Sequence, residues 1–244
     1  QSDYFQSTRG GGNGDYYVIV LAPSSVQEMA DFMDLAFTLA FKYRMPAMIL
    51  SDGVIGQMME KVVLPPVKPR RTEEEIKKEC PWATFGRTPD RKPNIITSLE
   101  LQPEVMEIRN QKLLKKYELV KENEVRYETS QCEDADYLFV AFGSAARISE
   151  KAMELAREAG LKVGLFRPIT LWPFPEKQLE ALAKGKKGVL SVEINAGQMV
   201  EDVRLATHGT VPVEHFGRLG GIVPDPEEIV NSLKENIKSG RFNG

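Results

Sequence analysis

Cysteine is nearly absent: Cys80 and Cys132 are the only two in the 244-residue chain, far apart and without a C-x-x-C pair. That scarcity excludes the common zinc and iron–sulfur ligand patterns and a disulfide scaffold, so a reducing cytoplasm is the expected compartment. Histidine is equally scarce. His208 and His215 have no serine, cysteine or carboxylate spaced to make a triad or a metal site, and they read as helix-end or core-edge residues. No catalytic residue and no metal ligand is therefore assigned. An excess of one charge is missing too: the net charge is −3 with mixed signs and no long basic run, which excludes a general attraction to nucleic acid or to an anionic membrane. Long apolar runs are lacking as well. Met29–Phe41 comes nearest, but Asp31 and Asp34 interrupt it, each costing about 2.5–3.5 kcal/mol at a bilayer centre, so it reads as a buried helix. There is no signal peptide and no initiating methionine, and Gln1-Ser2-Asp3 reads as the middle of a longer sequence.

Glycine is present, but not in a nucleotide-binding arrangement. Gly10-Gly11-Gly12-Asn13-Gly14-Asp15 precedes an apolar run instead of following one, Asp15 stands where a third spaced glycine would be needed, and no Gly-Lys-Ser/Thr follows. A pyrophosphate loop must follow a strand and open a helix so that backbone N–H groups face the ligand. The cluster therefore reads as a turn.

Hydrophobic residues make up 42% of the chain, enough to build cores for two domains. Tyr16–Leu21 is a β-branched and aromatic strand, and Ser25 with Glu28 has the spacing of a capping box for the helix after it. Gln27, Asp31, Asp34, Thr38 and Lys42 make one polar stripe on that helix, which predicts that its other sides are covered. Pro46 leads into a second strand, Ala47–Leu50, ending in Ser51-Asp52-Gly53 and completing a parallel crossover. Two parallel strands need neighbours, so this unit is expected to be part of a larger sheet whose missing strands precede Gln1.

Residues 54–98 are irregular and proline-rich, and read as an arm embracing another domain or subunit. Within them Thr72 and Glu75 cap a short helix, and Met58-Met59 reads as packing. Pro103 then opens a helix with Met106, Leu113, Tyr117 and Val120 on one face. From Tyr137 onward strands (137–142, 162–166, 189–194) alternate with helices (145–159, 175–183, 198–207, 225–238), and Pro212 marks 211–214 as an edge strand. That pattern predicts an α/β domain with a mainly parallel sheet.

Ligands of open α/β sheets approach the carboxyl ends of strands. The residues there give the anion-binding candidates Gly143, Ser144, Asn195, Gly197, Gln198, Arg218 and Gly220. Ordinary βα turns or subunit contacts would use the same residues, and turn chemistry alone accounts for most of the glycines.

Four stretches in combination, QSDYFQSTRGGGNGDYYVIVLAPSSVQEM, KYRMPAMILSDGVIGQMME, FRPITLWPFP and EINAGQM, resemble the α subunit of the 2-oxoacid:ferredoxin oxidoreductases over nearly the whole chain. GQMME, PWATFGR and NEVRYE look most like the branched-chain, 2-oxoisovalerate type. The resemblance implies an enzyme of anaerobic metabolism that converts a 2-oxoacid and coenzyme A into acyl-CoA and carbon dioxide, with thiamine diphosphate doing the carbanion chemistry and ferredoxin taking the electrons. It implies an incomplete pyrimidine-binding parallel-sheet domain (1–53), a connecting arm and helix (54–130) and a transketolase C-terminal-like α/β domain (131–244). The family's activating glutamate and its substrate-binding threonine and arginine would lie before Gln1, so no catalytic residue carries over, and Gln1, Ser2 and Asp3 become substrate-proximal. The implied assembly is a hetero-oligomer: a thiamine-binding β subunit holding the diphosphate and magnesium, an iron–sulfur subunit, and ferredoxin. The rival reading is a non-catalytic α/β module that holds an anionic ligand or a partner subunit at the Gly143, Asn195 and Gly217 turns.

Overall fold

The computed structural model describes residues 1–87 and 89–242; Thr88 of the expected arm and the last two residues of the expected second domain lie outside them. The chain opens with α1 (Tyr4–Thr8), whose Tyr4 is buried, and reaches β1 (Ile19–Leu21), a fully buried apolar strand. The glycine cluster between them closes on itself, with the Gly11 N–H donating to the Tyr16 hydroxyl at 2.9 Å. Helix α2 (Val26–Tyr43) starts at Ser25, whose Oγ accepts from the Glu28 N–H at 3.1 Å. The reciprocal half of the expected capping box is absent. The Glu28 carboxylate instead accepts from the Ser24 N–H at 2.7 Å, because it is drawn toward Arg167.

Strand β2 (Ala47–Ile49) pairs parallel with β1, Ile19 opposite Ala47 and Leu21 opposite Ile49. Helix α3 (Gly53–Gln57) follows, capped by Asp52. The connecting segment carries α4 (Glu73–Glu79), which has the Thr72–Glu75 capping box and no buried residue. Helix α5 (Pro103–Asn123) begins on its proline and buries Tyr117 and Val120 from the apolar face read in the sequence.

Strand β3 (Tyr127–Ser130) lies in the stretch read as connection, where its polar, largely exposed residues hide the strand pattern. There follow β4 (Tyr137–Ala141), α6 (Gly143–Glu158), β5 (Val163–Pro168), β6 (Thr170–Trp172), α7 (Glu176–Ala183), β7 (Gly188–Glu193), α8 (Met199–Thr207), β8 (Val213–Gly217) and α9 (Pro226–Lys238). The larger sheet has the order β3-β5-β4-β7-β8, parallel except for the edge strand β3, with β8 on the opposite edge. Period-two alternation separates its faces. Phe139, Ala141, Leu190 and Val192 pack with α6 and α9 residues such as Met153 and Leu233. Leu138, Val140, Phe166 and Val189 pack in a second cluster with Leu179, Met199 and Val203 of α7 and α8, together with Ile19, Leu39 and Val120 of the N-terminal half.

Among the described residues the smaller sheet has three strands, β2-β1-β6, the third antiparallel and supplied by the second half of the chain. Tyr17 stacks on Trp172 with centroids 4.7 Å apart, and Tyr117 of α5 meets both rings edge-on. One aromatic knot thus ties both halves and the long helix together. The expected cover over α2 is incomplete: Met33, Phe37 and Phe41 are 52%, 62% and 45% exposed. The polar stripe faces the connecting segment, where the Gln27 side chain holds the Val63 backbone through two hydrogen bonds and Lys68 pairs with Asp34.

Candidate functional site

The carboxyl ends of β4 and β7 meet the first residues of the chain. Gln1 is clamped through every polar atom of its side chain. Its Oε1 accepts from the Ile194 N–H at 3.0 Å, and its Nε2 donates to the Phe142 carbonyl at 2.9 Å and to Asp52 Oδ2 at 3.0 Å. Asn195 Nδ2 donates to the Gln1 carbonyl at 3.1 Å, and Gln198 Nε2 donates to the Ser2 carbonyl at 2.8 Å. Gln198 Oε1 also accepts from the Phe5 N–H at 2.9 Å. The loop between β7 and α8 is therefore a clamp for residues 1–5. The side chains of Ser2 and Asp3 stay exposed, available to whatever faces this edge.

Two helix N-termini open onto the clamp, and each holds a carboxylate of this chain. At α6, Asp52 Oδ2 accepts from the Ser144 N–H at 2.9 Å and the Ser144 hydroxyl at 2.6 Å, while Oδ1 accepts from the Ile55 N–H at 3.1 Å. One side chain thus caps α3 and α6 together. Gly143, with φ of 58°, makes this possible, since a Cβ there would stand 2.9 Å from both Asp52 Oδ2 and Gln1 Nε2. Burial pushes the Asp52 carboxyl up, but the Ser144 hydroxyl and N–H, the Ile55 N–H and the Gln1 amide outweigh it and hold it below the usual range.

At α8 the carboxylate is Glu193, fully buried. Its oxygens accept from the Gln198, Met199 and Val200 N–H groups at 3.1, 2.7 and 2.9 Å and from the Ser191 hydroxyl at 3.0 Å. Those donors stabilise a charge that burial alone would make costly, and the helix dipole adds to them. His215 Nε2 lies 3.9 Å from Glu193 Oε1 and has no hydrogen-bond partner. Burial holds the His215 imidazole below its ordinary value, Glu193 opposing and Arg204 assisting.

Of the residues named from sequence, Gln1, Gly143, Ser144, Asn195 and Gln198 come together in this junction, with the Gly197 N–H closing the Asn195 turn at 2.7 Å. Arg218 turns away to Glu228 at 3.1 Å, and Gly220 lies in an exposed turn. Asp52 and Glu193 were missed as site residues. Asp52-Gly53 after an apolar strand is an N-cap signal, and Glu193 is a lone acid ending a buried strand just before a helix start, so both left a trace in the sequence. Tyr4 and Asp202 left none. The Tyr4 hydroxyl donates to Asp202 Oδ2 at 2.5 Å, and Arg9 pairs with Asp202 at 2.9 Å. Burial raises both the Tyr4 phenol and the Asp202 carboxyl.

A second couple joins the halves at the end of β5. Arg167, almost fully buried, reaches Glu28 of α2 and, at 2.7 Å, Glu128 of β3. Among the described residues no group of three or more His, Cys, Asp or Glu is placed to hold a metal ion, and no helix is long and apolar enough to cross a membrane.

Residues 1–129 match the family model described as pyruvate flavodoxin/ferredoxin oxidoreductase, thiamine diP-bdg, and residues 135–229 match pyruvate:ferredoxin oxidoreductase core domain II. The chain is 44% identical over 235 residues to the ketoisovalerate oxidoreductase subunit VorB of Methanothermobacter marburgensis, a match covering 96% of this chain and 65% of that protein. It is 32% identical over 253 residues to the 2-oxoglutarate synthase subunit KorA of the same organism, covering 96% and 67%. In structure it resembles a 2-oxoglutarate:ferredoxin oxidoreductase from Magnetococcus marinus, solved with 2-oxoglutarate, coenzyme A and succinyl-CoA bound. That match has a TM-score of 0.78 at 28% identity and covers 97% of this chain and 45% of that one. The chain thus spans somewhat less than two thirds of the VorB relative's length.

Proposed function

Because the chain belongs to the pyruvate flavodoxin/ferredoxin oxidoreductase family, we propose that it serves in the α subunit of a thiamine-diphosphate-dependent 2-oxoacid:ferredoxin oxidoreductase. In that reaction a 2-oxoacid and coenzyme A give acyl-CoA and carbon dioxide, and ferredoxin is reduced. The observation that carries the proposal is the clamp on residues 1–5, held from both sides by Asp52, Asn195 and Gln198. Its work is orientation: it holds Ser2 and Asp3 at one edge where a substrate-bearing partner surface can meet them. Greater identity to the ketoisovalerate subunit than to the 2-oxoglutarate subunit supports a branched-chain 2-oxoacid. The bound molecules named for the Magnetococcus enzyme support coenzyme A as co-substrate.

Among the described residues neither the helix N-termini at the junction nor the cysteines offer a site for the diphosphate or for a cluster. Both helix N-termini at the junction are filled by Asp52 and Glu193, leaving no free cradle for a diphosphate. Cys80 and Cys132 are buried singly and cannot ligate a four-cysteine cluster. We propose that thiamine diphosphate with magnesium is shared with or held by a partner β subunit and that the iron–sulfur clusters belong to another partner, in a cytoplasmic hetero-oligomer. The same filled N-termini weigh against the rival reading of an anion-binding module.

The test is ferredoxin-coupled turnover across a panel of 2-oxoacids. The purified chain, given thiamine diphosphate, magnesium, coenzyme A and ferredoxin, is expected to be inactive, and the complex with its partner subunits to form acyl-CoA with branched-chain substrates preferred. Turnover by the chain alone sinks the subunit assignment, whereas a complex preferring pyruvate or 2-oxoglutarate sinks only the substrate.

A further inference from the structure

The clamp occupies the carboxyl edge of the larger sheet. At the amino edge, the starts of β4, β7 and β8 surround a hollow of about 700 Å³, within the range of about 300–1,000 Å³ in which small molecules are held. Lys186, Lys187 and Arg204 line it, and no aspartate or glutamate does. Tyr137 and Phe242 give it an aromatic side, their ring centroids 5.7 Å apart. Gly188 seats that side, since a Cβ there would stand 2.3 Å from the Phe242 ring.

Two of the three cations are held by neutral groups. Lys186 Nζ donates to the Cys132 and Ala135 carbonyls at 2.8 and 2.7 Å, which fixes the half-buried ammonium without offsetting its charge and leaves it a third N–H to give. Arg204 Nη2 donates to the Val213 carbonyl at 3.4 Å. Neither side chain pairs with a carboxylate among the described residues. Lys187 alone has an acid, Asp136 at 3.2 Å, in an exposed pair that water screens. The α8 dipole favours Arg204 in the last turn of its helix, yet the Thr207 carbonyl at that end is engaged by the Thr210 N–H at 2.9 Å and hydroxyl at 2.6 Å, and does not repel an anion. Like charges gathered round one concavity repel one another, and an anion inside it relieves them.

We propose that this hollow binds a polyphosphate group, free or carried by a nucleotide. The third N–H of Lys186 and the Arg204 guanidinium take phosphate oxygens in charge-assisted hydrogen bonds, Lys187 exchanges Asp136 for the ligand, and the Tyr137 side offers a base an apolar face. The hollow lies at the opposite edge of the sheet from the Gly143 and Asn195 turns, so the carboxylates filling those helix starts leave it open. The proposal does not rest on the oxidoreductase reading.

Isothermal titration calorimetry of the full chain with pyrophosphate, ATP, adenosine and sulfate, at low and high salt, tests it. The expected result is one saturable site for pyrophosphate or ATP that weakens as salt rises. Arg204→Gln, an exposed change, and Lys186→Met should each raise the dissociation constant roughly tenfold or more, with circular dichroism confirming that each variant is folded. Lys151→Gln, which removes an exposed cation of α6, should leave it unchanged. Equal affinity for pyrophosphate and ATP identifies a free polyphosphate as the occupant, whereas tighter ATP, displaced weakly by adenosine, identifies a nucleotide. Absence of saturable binding overturns the proposal. So does an affinity untouched by Arg204→Gln and Lys186→Met, or lost equally in Lys151→Gln. Sulfate bound as tightly as pyrophosphate would mean an unselective basic surface and overturn it too.

Discussion

Asp52 shows how much one carboxylate can organise, since it accepts from Ile55, Ser144 and Gln1 and so touches both α/β units and the first residue. Replacing it by Ala removes two helix caps and a charge-assisted cluster, and is expected to cost about 2–4 kcal/mol, read from urea unfolding at neutral pH. The sign of the pH dependence follows from the lowered carboxyl. Its stabilisation is complete above the ordinary aspartate value of about 3.9 and is lost as pH falls through the lower folded-state value. The stability gap between the wild type and Asp52→Asn should therefore be widest at neutral pH and close below about pH 4; a gap that widened in acid would contradict the assignment. Gly217 gives a steric counterpart. A Cβ there would stand 2.3 Å from the Asn195 carbonyl oxygen and 2.6 Å from the His215 ring, so Gly217→Ala must move the clamp loop. About 1–3 kcal/mol of destabilisation is expected, with faster hydrogen exchange at the Ile194 and Gly197 amides.

Elements differ in what holds them, and that decides which of them could be read from sequence. Strands β4, β5 and β7 are buried apolar runs and their helices carry periodic faces, so local pattern and tertiary environment agree. Strand β3 reads YETS, which only its pairing with β5 makes a strand, and β6 has three residues whose partner is β1, far back in the chain. Both exist because of long-range ladders that periodicity cannot see. The site divides the same way. Strand-end loops such as Asn195–Gln198 were visible as positions, but that Gln1 would fill them depends on a contact between the two ends of the sequence. Helix α4 is the opposite case, legible because it is local. It buries nothing and rests on the Thr72–Glu75 box with the Lys77–Glu73 and Arg71–Glu79 pairs. Since an isolated helix of seven residues is marginal in water and a threonine cap contributes about 0.5–2 kcal/mol, Thr72→Ala should melt α4 alone. Hydrogen exchange should show amide protection lost at Ile76 and Cys80 while β4 and β7 keep theirs.

On the scale of the whole molecule, the two α/β units share too much to unfold separately. They share the strand pair β1–β6, the Tyr17–Trp172–Tyr117 knot, a hydrophobic cluster running from Ile19 through Leu138 to Val203, and polar couples at Asp52 and Arg167. Opening the interface would expose that apolar surface and separate Arg167 from Glu28, breaking an ion pair whose guanidinium is nearly buried. One cooperative transition is therefore expected despite two sheets. In a Trp82→Phe background the remaining Trp172 reports the smaller sheet, while far-ultraviolet dichroism reports mainly the helices and the larger sheet, and the two urea curves should coincide. Arg167→Ala leaves Glu28 and Glu128, 21% and 59% exposed, without their cation, which should cost about 1–3 kcal/mol and pull the curves apart, Trp172 moving first. Non-coincident curves in the parent would refute the single unit. Coincident curves in both proteins would mean that the apolar cluster alone carries the coupling and that Arg167 contributes stability without cooperativity.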